Sequence, residues 1–154
     1  MIETPHVVET VAQLVATIHI ETPRSEIQHV MGPGIGEAMA AAKAQGIGPT
    51  GPWVAHHLKM TPQAFDLEIC VPVSAPVTAV GRVKSSQRPA ITVVRTVYHG
   101  PYEELGEAWH EFAGWIEVNG YRTAEDLYEC YVVGPESSPD PADWRTELSR
   151  PVIE

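Results

Sequence analysis

Two separated segments of the chain recur 79 positions further on, and this repeat constrains the fold more than any other feature. Each pair is aligned at the same offset: 15–19 with 94–98, and 65–73 with 144–152. One shared dipeptide would be chance, but two segments in one register predict a duplicated half. We therefore expect a single domain, residues 1–154, built from repeats at about 11–73 and 90–152.

Each repeat has the same predicted order of a strand, a helix and two strands. Apolar alternation predicts the strands, and proline and glycine positions bound the helices. The predicted strands are 14–21, 53–60, 65–73, 90–99, 127–133 and 144–152, the predicted helices are 33–45 and 102–119, and residues 74–89 join the repeats. Short connections favour antiparallel pairing. The expected fold is α+β, with duplicated β-α-β-β halves forming one antiparallel sheet, helices on one face and a ligand cleft between the halves.

The composition excludes several classes of function. The net charge is −10, which argues against direct nucleic-acid binding because that needs a basic surface. Two cysteines, Cys70 and Cys130, do not make a disulfide framework and favour a reducing compartment. The chain start lacks the features of a signal peptide, and the most apolar stretch, 69–80, is too short to span a bilayer. We expect a soluble cytoplasmic protein that does not contact membranes.

A single acid, Glu129, lies within the apolar strand 127–133. Neither face of that strand is polar, and an ionised carboxylate is rarely buried without a partner. The matching first-half region, 53–56, contains no acid, so Glu129 is not a repeated structural position. It therefore pairs with a cation inside the protein or binds one from outside, and perturbed acids in clefts are often functional.

Other motifs give weaker signals. His56 and His57 are neighbours on a strand and point to opposite faces, so they do not readily share one ion. The zinc-type spacings are absent from the sequence, and the glycine-rich segment 31–36 lacks the Lys-Ser/Thr of a phosphate loop. We expect neither a metal nor a cofactor.

An ordered set of motifs resembles a known family. The set comprises His99-Gly100-Pro101-Tyr102, a Trp/Phe-rich helix, Tyr128-Glu129-Cys130-Tyr131, a proline-rich loop, Arg145-Thr146-Glu147-Leu148 and Pro151-Val152. With the repeated β-α-β-β order, it resembles the GyrI-like small-molecule-binding domains, also called effector-binding domains of AraC- and MerR-type regulators. The sequence before Val11 shows no helix-turn-helix pattern, so we expect the free-standing form.

The resemblance implies a cleft for aromatic and cationic small molecules, with Glu129 at its floor. Some relatives are instead hydrolases that open strained cyclopropane rings in natural products, and others bind DNA gyrase as a protein partner. The candidate ligand-binding residues are Glu129, Tyr98, Tyr102, Trp53, Tyr131, His57 and Trp109, of which Glu129 and Tyr98 would be catalytic in an enzyme. Helical spacing of Trp109, Phe112 and Trp115 also fits plain core packing. Binding, hydrolysis and protein modulation all remain open at this point.

Overall fold

The computed structural model describes residues 2–135 and 137–153. Its helices and longer strands follow the order expected for two repeats. The elements are β1 (His6–Glu9), β2 (Gln13–Pro23), α1 (Ile27–Ala44), β3 (Val54–Met60), β4 (Ala64–Pro72), β5 (Lys84–Arg88), β6 (Thr92–His99), α2 (Leu105–Val118), β7 (Leu127–Val133) and β8 (Arg145–Pro151). Neither helix is long and apolar enough to cross a membrane, within the residues described.

The chain forms two compact units, each with one helix and four antiparallel strands. The N unit is Val11–Ala90, and the C unit combines the first ten residues with the chain from Ile91 onward. The strand order is β3-β4-β2-β5 in the N unit and β1-β6-β8-β7 in the C unit. The α+β class and the antiparallel pairing expected from the sequence are confirmed.

The edge strands β1 and β5 were not anticipated. Strand β1 precedes β2 in the chain but pairs with β6, whereas β5 precedes β6 but pairs with β2. Residues 74–89, predicted as the segment that joins the repeats, therefore also contain an edge strand of the N unit. Both strands are short and largely exposed, so they carry little of the apolar alternation that identifies a half-buried strand.

The two units share one strand register. Strands β3 and β7 carry an irregularity at the same place, after His57 and after Tyr131, opposite Leu67 and Thr146 respectively. This match keeps the expected offset of 79 between β4 and β8. In the ladders, Ile18 lies opposite Ile69, and Thr96 lies opposite Leu148. Because Ile69 and Leu148 are counterparts, Ile18 and Thr96 are counterparts too, at an offset of 78.

The alignment of segment 15–19 with segment 94–98 is therefore wrong by one residue. A one-residue slip moves every side chain of a strand to the other face. In the observed register Ala16 and Ile18 belong to the core of the N unit, and Val94 and Tyr98 belong to the core of the C unit.

Helix α1 begins six residues earlier than predicted, since Pro33 lies inside it rather than at its start. An internal proline removes one helical hydrogen bond. Here Pro33 is exposed, while Ile27, Val30 and Met31 pack against the core, so tertiary contacts hold the first turns in place. A side chain at Gly34 would meet Ile69 Cδ1 at 2.7 Å, so this glycine permits close approach of helix and sheet.

Helix α2 covers the core of the C unit. Ala108, Phe112 and Ile116 are buried in one cluster with Leu148, as the helical stripe predicts. Leu105, Trp109 and Trp115 are only partly buried against that cluster. The helical stripe in the sequence also predicts Leu105 and Trp109 as core residues; both are only partly buried, so this prediction is met in part and Trp109 lies at the border of the core.

Candidate functional site

Glu129 occupies the helix-facing side of β7. It pairs in the ladder with Leu148, which belongs to the core cluster beneath α2. Only 7% of Glu129 is exposed. A carboxylate in this position loses most of its hydration, so its hydrogen bonds determine whether it can remain there as an anion.

Two neutral donors hold the two carboxylate oxygens. The indole N–H of Trp109 donates to Oε2 at 2.6 Å, and the hydroxyl of Tyr131 donates to Oε1 at 2.5 Å. Hydrogen bonds to the charged form of a carboxylate favour that form. These contacts fix the orientation of the group without contributing a positive charge. That no Lys or Arg pairs with Glu129 stays a prediction.

Tyr131 is a permanent donor in this arrangement. Burial, followed by the charge of Glu129, raises the pKa of Tyr131 well above its ordinary value of 10.0. The hydroxyl therefore keeps its proton across the physiological range, and the bond to Glu129 persists there.

A row of aromatic rings continues from Tyr131. The ring of Tyr102 meets Tyr131 edge-on, with centroids 5.7 Å apart and planes at 88°. Tyr102 also contacts Trp144, with ring centroids 4.9 Å apart and planes at 31°. The indole N–H of Trp144 donates to the carbonyl oxygen of Ser138 at 2.9 Å, which fixes this ring. Trp144 was predicted only as a strand residue; its place directly after a proline-rich loop was the available signal.

Tyr98 has a structural contact instead. It is 2% exposed, and its hydroxyl donates to the carbonyl oxygen of Pro101 at 2.7 Å. Gly100, at φ 136°, brings the backbone close to this hydroxyl. The bond ties the end of β6 to the turn before α2. A catalytic role for Tyr98 stays a prediction, and its hydroxyl proton already has an acceptor.

Trp53 and His57 belong to the N unit. Trp53 is partly buried against that core, and His57 is 8% exposed with its ring 5.8 Å from Phe65. His56 lies on the other face, with Nδ1 3.7 Å from Glu68 Oε1. The two histidines thus point to opposite faces, as expected. Participation of Trp53 and His57 in a site with Glu129 stays a prediction.

Thr146 is a polar residue that the sequence did not single out. It lies directly opposite Tyr131 in the β7–β8 ladder and is fully buried. Its Oγ1 has no hydrogen-bond partner among the residues described. An unsatisfied buried hydroxyl lowers folding stability by about 1–3 kcal/mol. Stability therefore does not explain why Thr146 lies beside Glu129, Trp109 and Tyr131, which we call the Glu129 cluster.

The chain matches the model of the GyrI-like small molecule binding domain over residues 3–153. No curated protein matches it in a sequence comparison. Among solved structures, the EcmrR C-terminal domain is 27% identical with a TM-score of 0.84, and the match covers 98% of each chain. EcmrR in a complex with DNA matches with the same score and identity, and the chain spans 57% of that longer protein.

A third structure is SAV2435 bound to tetraphenylphosphonium. It is 13% identical with a TM-score of 0.67, covering 98% of this chain and 94% of the other. At that identity the likeness concerns the fold. The family model covers nearly the whole chain, so the chain belongs to the GyrI-like small-molecule-binding domain family.

Proposed function

We propose that this protein binds lipophilic cations that carry aromatic groups, with Glu129 as their counter-ion. The observation that carries the proposal is a buried carboxylate held by two neutral donors, Trp109 and Tyr131. A cation that reaches this carboxylate pairs with it in a poorly hydrated setting, where charge pairs are strong. Neutral molecules of the same shape lack that contribution.

The aromatic row supplies the apolar part of recognition. The ring of Tyr102 contacts those of Tyr131 and Trp144, so the three rings form one connected row that begins at a donor to Glu129. Aromatic faces attract cations and stack with aromatic groups of a ligand. Rings tolerate ligands of different outline better than a set of directed hydrogen bonds, so we expect a range of compounds to bind.

The comparisons support this choice of ligand class. The family description is small-molecule binding, and SAV2435, which has this fold, was solved with a lipophilic phosphonium cation. EcmrR is seen in a complex with DNA. With its net charge of −10, we expect this chain to act as an effector-binding domain rather than to touch nucleic acid itself. The cytoplasmic location expected from the composition is part of this proposal.

The hydrogen bonds favour binding over hydrolysis. A general base must accept a proton in the transition state. Both oxygens of Glu129 already accept hydrogen bonds, and Tyr131, with its raised pKa, holds its own proton firmly. These contacts stabilise the anion and weaken it as a base. The hydrolase alternative is therefore an outcome of the test below, and among the described residues of the C unit no contact specifically favours a gyrase-type protein partner.

The test compares a charged and a neutral ligand of similar shape. Tetraphenylphosphonium and triphenylphosphine oxide are titrated by calorimetry into the wild-type protein and Glu129→Gln. We expect the substitution to weaken phosphonium binding by about 2–5 kcal/mol, as for one side of a buried charge pair, and to leave the neutral ligand unaffected. Glu111→Gln removes one exposed charge from α2 and serves as the matched control.

Two results would contradict the proposal. Equal losses for both ligands would mean that the substitution damages the pocket rather than removing a counter-ion. Unchanged binding of both would make Glu129 a structural acid. Product analysis of electrophilic ligands by mass spectrometry is the third arm: turnover that disappears in Glu129→Gln while uptake persists would establish the hydrolase instead.

A further inference from the structure

The face of the N-unit sheet opposite α1 carries a cluster of metal-ligating side chains. His19 and Glu21 are two residues apart on β2 and therefore lie on the same face. Glu21 pairs with Asp66 in the ladder, and His19 pairs with Glu68. His56 pairs with Glu68 from the other side. Three adjacent strands thus bring two imidazoles and three carboxylates together, and none of these residues contributes to the Glu129 cluster.

Three of these residues have the spacing of ligands around one ion. His19 Nε2 lies 2.5 Å from Asp66 Oδ1 and 3.9 Å from Glu21 Oε1. One ligand atom from each residue falls within 4.8 Å of the others. Metal–ligand bonds of about 2.0–2.2 Å place neighbouring ligand atoms about 3–4 Å apart. His19 Nε2 and Asp66 Oδ1, now in direct hydrogen-bond contact, would have to separate by about 0.5–1.5 Å to admit an ion between the three groups.

One of the three side chains, His19, also borders an open groove on this face. The groove has a volume of about 550 Å³, and its other lining residues are Thr17, Leu58, Glu68, Arg82 and Lys84. The Arg82 guanidinium is engaged by Glu37 at 2.7 Å, which offsets part of the positive charge on this groove. The side chains of His19 and Glu21 are 49% and 72% exposed, so open coordination positions would be filled by water.

We propose that the N unit binds one divalent transition-metal ion, with Zn²⁺ as the fitting probe, through His19, Glu21 and Asp66. Two carboxylates balance the charge of the ion, and the imidazole selects zinc over the all-oxygen preference of Ca²⁺ and Mg²⁺. Glu68 and His56 lie in the same row of the sheet as His19, and His56 Nδ1 is 3.7 Å from Glu68 Oε1. The sequence search did not reveal this set because His19 and Asp66 are 47 positions apart.

The test is calorimetry of the chelator-treated protein with ZnSO₄, followed by Co²⁺ substitution and visible spectroscopy. We expect one Zn²⁺ per chain, and a Co²⁺ spectrum that reports nitrogen and oxygen ligands. His19→Ala and Asp66→Asn should each weaken Zn²⁺ binding by about ten-fold or more, within the range for lost metal-site contacts. His110→Ala, which removes an exposed histidine of α2, should bind as the wild type does.

Several outcomes would overturn the proposal. These are no Zn²⁺ binding by the wild type, wild-type affinity in both His19→Ala and Asp66→Asn, loss in His110→Ala alone, or equal affinity for Ca²⁺. Glu21→Gln is a second, exposed substitution that preserves folding if Asp66→Asn does not. Phosphonium binding is measured on the same variants; it should be unchanged, because the metal site and the Glu129 site are separate claims.

Discussion

The N and C units differ in what they place beneath the helix. At equivalent ladder positions the N unit carries Ile18 and Leu67, whereas the C unit carries Thr96 and Thr146. By the same register Ala55 is the counterpart of Glu129, because Ala55 lies opposite Ile69 and Glu129 lies opposite Leu148.

This difference supports the proposal that the C unit binds the ligand. A sheet face packed against a helix is ordinarily apolar, and the N unit is apolar at these positions, although it buries Thr22 and His57 elsewhere on the same face. The C unit instead buries Glu129 and Thr146 there. Proteins keep buried polar groups of this kind mainly at functional sites. Comparison of equivalent ladder positions in the two units therefore singles out Glu129 and Thr146 for testing.

The strongest way to break the comparison is to place an acid in the N unit at Ala55→Glu. Ala55 has no exposed surface, and an unpaired carboxylate there should cost about 4 kcal/mol or more of unfolding free energy. Ala55→Gln, of equal size, separates charge from overpacking. Urea unfolding measures both. If the two variants lose equal stability, the N unit does not discriminate against charge and the contrast between the units is weaker than we infer.

A second change tests the donor that accommodates the acid in the C unit. In the wild type the ring centroids of Trp109 and Phe112 are 5.8 Å apart. Trp109→Phe keeps a ring at this position but removes the N–H that donates to Glu129 Oε2. We expect a loss of about 1–3 kcal/mol, the cost of one unsatisfied buried group. Trp115→Phe on the same helix is the control and should cost less. A smaller loss in Trp109→Phe than in Trp115→Phe would mean that the bond to Glu129 contributes nothing.

The smallest expected effect is alkaline and sharpens the role of Tyr131. Because its folded pKa is raised, its contribution is complete below the unfolded value of about 10 and is lost as pH rises above that value. At pH 11 the wild type should have lost about 1.4 kcal/mol from this residue, since the unfolded chain ionises and the folded one does not. Tyr131→Phe should lack this decline, whereas Tyr121→Phe, at an exposed tyrosine, should retain it. The measurement is the free energy of unfolding against pH. The same decline in all three proteins would mean that Tyr131 does not have a raised pKa in the folded state.

Much of the fold follows from periodicity. Strong apolar alternation and helical stripes place β2, β4, β6, β8 and α2 within a few residues of their observed bounds. The failures have physical causes. Edge strands such as β5 are short and polar, the start of α1 depends on core contacts that outweigh Pro33, and a one-residue register cannot be read from a short resemblance between β-branched segments.

The site is predictable to a smaller extent. Glu129 is conspicuous because an acid in an apolar strand needs an explanation, and Tyr131 and Tyr102 do lie near it. Thr146 is not conspicuous, since threonine is common in strands and only the ladder reveals that its hydroxyl is buried. Tyr98 has the right residue type and the right strand, but its hydroxyl bonds to Pro101, which only the turn geometry determines.

The exchanged edge strands set an order in which the chain can be completed. The N unit is one continuous stretch, so all its strands are available once residue 90 has been made. The C unit instead needs β1, and the ladder joins His6 to Arg95. Glu3 also binds this strand, accepting from Thr96 Oγ1 at 2.6 Å and donating to Val97. During synthesis β1 can therefore pair only after its partner strand β6, residues 92–99, has been made, whereas every strand of the N unit lies in one segment that is complete by residue 90.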